Sequence, residues 1–466
     1  MIPSTLRNSL NLTASLLVLI VTFLVAACSG NDSTDRSRMP SSGDFELAVL
    51  SSPLQLREGD PDGLTIVVNL IRNPEHTNPV DLKIEAVTTE DVRLVSTSGF
   101  TNSILTPSSD TSQVKLLLAI DTLPIQPQTR DFVITATDGA GTSRQNITID
   151  VLPTTAPDVY LLAGQSNMVG ISGTGTRQAE PGGPDESHPR IKQLNATKNE
   201  RDDVFNSASA YTSRASNIIE SAPIVIAEDP LHLPLDPNNS GKDSSYIGLG
   251  LSFAKAALDN TTADIILVPA AWSGSSFCRR DSPTGYWNAE SSSNPLFNDT
   301  LLFDRAVFRT NLALTETGGV LRGILWHQGE SDELDECAGE LGETYRQNLT
   351  KMIAGFRTSI QTDLAGESRR QGGSNIPFVL GTMSAGADER EDLSTFLPSK
   401  QFIDDVHRLI PSQVTYTALS NHDDLKPSDG YPCGNTSCIH FGAKALREMG
   451  RRYYEGLLRA VQNRID

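Results

Sequence analysis

Basic charge is scarce in this chain. Lys and Arg number 38 against 57 Asp and Glu, a formal net charge of −19. Nucleic-acid binders draw affinity from Lys and Arg that neutralise phosphates, so this balance excludes nucleic acid as an expected partner. Cysteine is scarce too. Five in 466 residues are too few for a disulfide scaffold, and the odd number asks for an explanation in an exported chain. No HExxH and no paired Cys/His spacing occurs, so a metal site has no support. No Walker-type loop occurs either, because the glycines of 170–175 lack the lysine and the strand–helix setting. With 38% hydrophobic and 20% charged residues, the chain is neither a disordered tail nor a polytopic membrane protein. Its length suggests about three units at roughly 150 residues each.

What is present begins at the N-terminus. Residues 1–14 carry one charge, Arg7, and an apolar run follows from Leu16 to Ala27. That run is too short for a bilayer span of about 20 residues, and has the form of a secretory signal. It ends in Leu24-Val25-Ala26-Ala27-Cys28, which resembles the bacterial lipobox. The resemblance implies a signal peptide over 1–27 and a lipid on Cys28 that anchors an exported protein to a membrane. Residues 28–44 are polar and read as a flexible tether. No Asp follows Cys28, which in a Gram-negative cell would permit transfer to the outer membrane.

Residues 45–153 carry short β-rich runs at 45–50, 64–71, 80–87, 92–96, 114–120, 131–138 and 146–152, several alternating apolar with polar residues. Turn residues such as Asp60-Pro61-Asp62-Gly63 and Asp138-Gly139-Ala140-Gly141 separate them. The expected fold is an Ig-like or cadherin-like β-sandwich, a spacer or adhesion module without chemistry of its own. From Asp158 apolar runs alternate with helical stretches, the grammar of a parallel α/β sheet. Strands are expected at 158–164, 264–271, 322–328, 376–382 and 414–420. Helices are expected at 249–259, near 301–316, at 343–360 and at the C-terminus, where Ala445, Met449, Tyr453 and Leu457 form one apolar stripe. Unusual polar clusters follow the strands: Gly164-Gln165-Ser166-Asn167-Met168, Ser273-Gly274-Ser275-Ser276 and His327-Gln328-Gly329-Glu330-Ser331-Asp332. In open parallel sheets sites lie beyond the carboxyl ends of strands, so these clusters mark the expected active site.

Ser166 follows a strand and a glycine, which suits a presented nucleophile, although a serine there also suits a helix N-cap. The motif AGQSNMVG resembles the first block of the SGNH/GDSL hydrolases. More narrowly it resembles the sialate O-acetylesterase and acetylxylan-esterase branch, carbohydrate esterase family six. DPLHLP with GLGLSFAKA, VPAAWSGSSF, GILWHQGESD and DLKPSDG…IHFGAKALREMGRRYYEGL agree in order. The resemblance implies an α/β, three-layer SGNH-like parallel-sheet hydrolase over 158–466, preceded by the sandwich. It implies Ser166 as nucleophile and His440 as base. It also implies an oxyanion hole made by the Ser166 and Gly274 backbone N–H groups and the Gln328 side-chain amide. Such donors are each worth roughly 3–4 kcal/mol of barrier. The implied substrate is an acetylated carbohydrate, such as sialic acid or xylan, and no cofactor is required.

The triad acid departs from the superfamily pattern. Ser437 stands where many SGNH enzymes have an Asp three residues before the His, and the insert YPCGNTSC separates Asp429-Gly430 from Ile439-His440. The resemblance implies Glu330 of HQGE as the acid that orients His440; the alternative is Asp429, returned to the imidazole if a Cys433–Cys438 bridge pinches the insert, and Glu330 is the preferred one. Trp272, Phe277, Tyr286 and Trp287 flank the glycine block and suit either sugar stacking or core packing. His327 reads as structural and His422 as a loop residue. Ser273 stands where the branch often has a second glycine, and fits unless the backbone needs positive φ. If Cys28 is lipidated, four cysteines remain; the expected bridges are Cys433–Cys438 and Cys278–Cys337. Two other functions stay open: an inactive carbohydrate-binding lipoprotein on a hydrolase scaffold, and an esterase acting on non-carbohydrate acyl groups.

Overall fold

Alternating burial builds the first part of the chain. The computed structural model describes residues 45–464, apart from 52–53, 61, 88–96, 119–126, 171–180, 196–221, 233–246, 278–285, 288, 290–301, 333–338, 361–375, 385–397 and 426–439. The signal segment, the tether with Cys28, the strand expected at 92–96, Cys278, Cys337, Cys433, Cys438, Asp429 and Ser437 therefore lie outside the described residues. Among the described residues nine strands precede Pro153: β1 (Phe45–Val49), β2 (Gln55–Arg57), β3 (Leu64–Arg72), β4 (Val80–Ala86), β5 (Thr97–Phe100), β6 (Ile104–Leu105), β7 (Thr111–Leu116), β8 (Gln128–Thr137) and β9 (Thr142–Leu152). They form two sheets, in the orders β1-β3-β7-β5 and β2-β9-β8-β4-β6. In β3, Leu64, Ile66, Val68 and Leu70 are buried, and they share one apolar core with Ile134 and Ala136 of β8 and Ile149 of β9. Each such aliphatic side chain contributes about 1.5–3 kcal/mol on burial. The short β2 and β6 carry too few residues for alternation to reveal them.

The second part is a seven-stranded sheet. Its strands are β10 (Asp158–Gly164), β11 (Ile191–Leu194), β12 (Ile224–Ile226), β13 (Ile265–Pro269), β14 (Val320–His327), β15 (Phe378–Gly381) and β16 (Thr417–Ser420). They lie in the order β12-β11-β13-β10-β14-β15-β16. All pair in parallel except β12, which runs antiparallel to β11. Every residue of β10, β13 and β14 is buried, as a strand covered on both faces requires. The one-turn helix α1 (Ser166–Val169) sits at the end of β10. Helices α2 (Gly250–Leu258), α3 (Leu302–Thr317), α4 (Glu343–Ser359), α5 (Pro398–Gln413) and α6 (Ala443–Gln462) follow. The strands divide their side chains between two cores. Val159 and Leu161 face the core formed with α3, α4 and α5, while Tyr160 and Leu162 face the core formed with α2 and α6. The expected stripe Ala445, Met449, Tyr453 and Leu457 is buried in the latter. The sequence signals miss α5, whose prolines at 398 and 411 read as breakers. Among the described residues no helix is long and apolar enough to cross a membrane.

Residues 44–466 cluster as one unit. One polar contact between the β module and the α/β sheet is fully buried. Arg322 of β14 donates through Nε to Asp158 Oδ1 at 2.6 Å and through Nη1 and Nη2 to the Glu58 carboxylate at 3.3 and 3.4 Å. Thr261 Oγ1 donates to the other Asp158 oxygen at 2.7 Å. Asp158 pairs in register with Val320, and Gly164 with His327. This buried ion triad of Arg322, Asp158 and Glu58 therefore lies toward the amino ends of the central strands, and Ser166 beyond their carboxyl ends.

Candidate active site

The end of β10 is forced close to β14. Gly164 has φ 133°, and a Cβ there would stand 2.1 Å from the His327 carbonyl oxygen, so no other residue fits without moving the backbone. Gln165 then donates its N–H to that carbonyl at 2.8 Å. It also occupies the N-cap position of α1, without a side-chain cap bond. Ser166 is thus the first helical residue, not the cap. Its N–H has no intrahelical acceptor because it lies in the first turn. Its hydroxyl pairs with His440 Nε2 at 2.8 Å, across 274 residues of sequence. This is the nucleophile–base contact that acyl transfer needs.

His440 is half-buried. Burial pushes its pKa below the ordinary histidine value, and the negative charge of Glu330 opposes the shift. The neutral imidazole, with a lone pair for the serine proton, is the form favoured at neutral pH. Glu330 opens the 3₁₀ turn Glu330–Asp332 after β14 and is only 5% exposed. Its Oε1 accepts from Asn167 Nδ2 at 2.6 Å and lies 3.7 Å from His327 Nε2. Among the described residues its Oε2 is buried without a hydrogen-bond partner. Among the described residues no hydrogen bond joins Glu330 to His440. The structure thus brings Ser166, His440 and Glu330 together, while Asp429 lies outside the described residues.

Gln328 requires a correction. It is fully buried, and Nε2 donates to Asp332 Oδ2 at 2.6 Å and to the Ser275 carbonyl at 3.1 Å. Both amide protons are committed, so no N–H remains for an oxyanion. Its Oε1 accepts from Tyr345 at 3.0 Å. Gln328 instead fastens the glycine-block loop to the loop after β14. Asp332, which the sequence motifs do not distinguish from a loop acid, completes that brace by accepting the Phe277 N–H at 3.0 Å. Gly274 has φ 71°, a left-handed conformation suited to glycine. Ser273 is not among the positive-φ residues, so a serine fits there.

The aromatics around the glycine block are corrected toward packing. Trp272, Phe277, Tyr286 and Trp287 are all buried, and Trp287 meets Trp326 edge-on at 5.1 Å. None presents a face for a sugar ring. His422 is a loop residue after β16, as expected, but it is buried, and its Nε2 pairs with Ser420 Oγ at 2.8 Å. His327 is structural as expected: its Nδ1 lies 3.0 Å from Tyr453 Oη, which donates to the Trp326 carbonyl at 2.7 Å. Among the described residues no group of three or more His, Cys, Asp and Glu is placed to hold a metal ion.

Comparisons with known proteins bear on this site. A probable carbohydrate esterase of Arabidopsis thaliana is 27% identical over 202 residues, 43% of this chain. The match spans 62% of that relative's length. A solved carbohydrate acetylesterase from Xanthomonas citri aligns over 88% of this chain and 73% of its own, at 16% identity and a TM-score of 0.41. Cadherin-like domains of zebrafish RET align over 26% of this chain and 30% of their own, at 12% identity and a TM-score of 0.17. Residues 156–459 match the family described as carbohydrate esterase, sialic acid-specific acetylesterase. That match covers the sheet, the flanking helices and both partners of the Ser166–His440 contact, and the chain belongs to this family.

Proposed function

We propose that the protein removes O-acetyl groups from a carbohydrate through an acyl-enzyme on Ser166. The 2.8 Å contact between Ser166 Oγ and His440 Nε2 carries the reading. Ser166 Oγ attacks the acetyl carbonyl carbon while His440 takes its proton. The tetrahedral oxyanion forms beside the N–H of Ser166, with Gly274 as the second donor. Collapse breaks the ester C–O bond, and the leaving sugar oxygen takes the proton from His440. Water, deprotonated by the same imidazole, then releases acetate and restores the serine. Glu330 acts as the acid, its charge stabilising the imidazolium at each step. The family match supports acetylated carbohydrate as substrate. Measured acetate release from acetylated xylan and from O-acetylated sialic acid is expected to exceed background for at least one. Turnover of p-nitrophenyl acetate with no release from any acetylated glycan would sink the carbohydrate assignment.

The role of Glu330 has a pH signature. The rate falls in acid as His440 protonates, and the depressed pKa of His440 places that limb below the ordinary histidine value. Glu330 favours the charged imidazole, so Glu330→Gln is expected to move the limb to still lower pH. The same change removes stabilisation of the imidazolium in the transition state, and kcat should fall about 10²-fold or more. Asp429→Asn should stay within a few-fold of wild type. A Glu330→Gln enzyme of near-normal rate would assign the role elsewhere.

The lipobox-like LVAAC sequence supports an exported lipoprotein held to a membrane by lipid on Cys28. The seven β-rich runs of 45–153 support an Ig-like spacer between that anchor and the esterase. Oxidising export would favour the Cys278–Cys337 and Cys433–Cys438 bridges.

A further inference from the structure

Asn167 joins three segments that are far apart in sequence. It follows Ser166 in α1 and is 2% exposed. Its Nδ2 donates to Glu330 Oε1 at 2.6 Å, and its Oδ1 accepts the Phe441 N–H at 3.0 Å. The end of β10, the turn after β14 and the entry to α6 therefore meet on one side chain. Chemistry fixes which way the amide points. An ionised carboxylate only accepts and a backbone N–H only donates, so exchanging O and N would leave both contacts repulsive. Phe441 is the residue directly after His440, and its ring is wedged edge-on against His327 and His422 at 5.8 and 6.0 Å. The backbone carrying the base is thereby fixed from both sides.

We infer that Asn167 is a positioning residue that holds Glu330 and the His440 backbone in one frame with Ser166. The inference rests on Ser166 and His440 being nucleophile and base. Glu330 has no hydrogen bond to His440 among the described residues, so its placement beside the imidazole depends on what grips it. Asn167 provides the shortest contact to that carboxylate. With Oε1 held by the amide, the carboxylate whose charge acts on His440 is tied to the same side chain that holds the Phe441 N–H.

The test is a double-mutant cycle on p-nitrophenyl acetate with Asn167→Leu, which keeps the shape but neither hydrogen bond, and Glu330→Ala. Displacing a catalytic group by about 1 Å can cost about 10²-fold. Asn167→Leu is therefore expected to lower kcat about 10²-fold with KM within threefold of wild type. The double variant should be no more than about threefold slower than the slower single variant, because both changes break one unit. Should the leucine variant fail to fold, Asn167→Asp replaces it. That variant keeps the acceptor for Phe441 and turns the donor into an anionic oxygen facing Glu330, with the same expected loss. A kcat within threefold of wild type in the folded variant, or losses that multiply in the double, would overturn the inference. So would a slow Asn167 variant beside a normal Glu330→Ala enzyme. Ser166→Ala separates the two levels: if it stays active the site itself is misassigned, whereas its loss beside normal Asn167 variants removes only the positioning role.

Discussion

Alanine in place of Ser166 is expected to lower kcat on p-nitrophenyl acetate by about 10⁴–10⁶-fold, the range seen when a serine nucleophile is deleted from a working triad. The substitution removes one oxygen. That oxygen makes no capping bond, because Gln165 holds the cap position. Its hydrogen bond goes to His440 Nε2 at 2.8 Å. The fold should therefore lose little, and the thermal midpoint should stay close to wild type. KM should change far less than kcat, since the hydroxyl's energetic role lies in bond formation and not in gripping the acyl group. The N–H groups of residues 166 and 274 survive the change, so a residual rate above the uncatalysed reaction is expected. His440→Ala should lose a comparable factor, and the double variant should be no worse than either single, because nucleophile and base act as a unit. Wild-type turnover by a folded Ser166→Ala protein would end the serine-esterase assignment together with the mechanism built on it.

Different parts of the molecule left unequal marks on the sequence. The longer strands were legible because burial alternates every second residue, as with Ile66, Val68 and Leu70 in β3, or runs uninterrupted, as in β10, whereas the short β2, β6, β11 and β12 left no such mark. Ser166 and Glu330 were singled out by ordered motifs at strand ends and His440 by a motif before the last helix, and the structure places Ser166 Oγ 2.8 Å from His440 Nε2. Gln328 shows where motif reading stops. Its residue type suits an oxyanion donor, but a donor serves only if its protons are free, and the positions of Asp332 and Ser275 decide that. The aromatics fail for a related reason. A tryptophan next to a catalytic loop covers either a sugar or a neighbouring side chain, and only the fold places Trp326 against Trp287. Asn167 reads as part of a motif without a role until Glu330 and Phe441, 163 and 274 residues away, come within reach.

The buried ion triad is the clearest long-range case, and it carries the second large expected effect. Arg322 is enclosed between Asp158 and Glu58, all with side chains 0% exposed. The two carboxylates hold the guanidinium charged against the opposing pull of burial. Replacing Arg322 by Met fills much of the volume but takes the guanidinium away from two buried carboxylates. Breaking a buried ion pair by removing one partner costs about 3–5 kcal/mol, so Arg322→Met should destabilise the protein by at least that much in chemical unfolding. Glu58→Gln should cost less, because Asp158 still neutralises the arginine and the amide oxygen still accepts one of its N–H groups. The ranking separates charge burial from simple packing loss. If uncompensated charge is the cause, adding Glu58→Leu and Asp158→Asn to Arg322→Met should recover much of the lost stability, since an apolar replacement of a whole buried ion cluster is often nearly neutral. If the triple variant is instead less stable than Arg322→Met alone, the triad acts through shape and not through charge. Glu58 belongs to the β module and the other two to the central strands of the sheet. The unfolding curves therefore also report coupling: a wild-type protein in which the two parts melt together, and an Arg322→Met protein in which the β module melts first, would show that this contact joins them into one cooperative unit. An unchanged midpoint in Arg322→Met would mean that the apolar contacts around the triad already suffice.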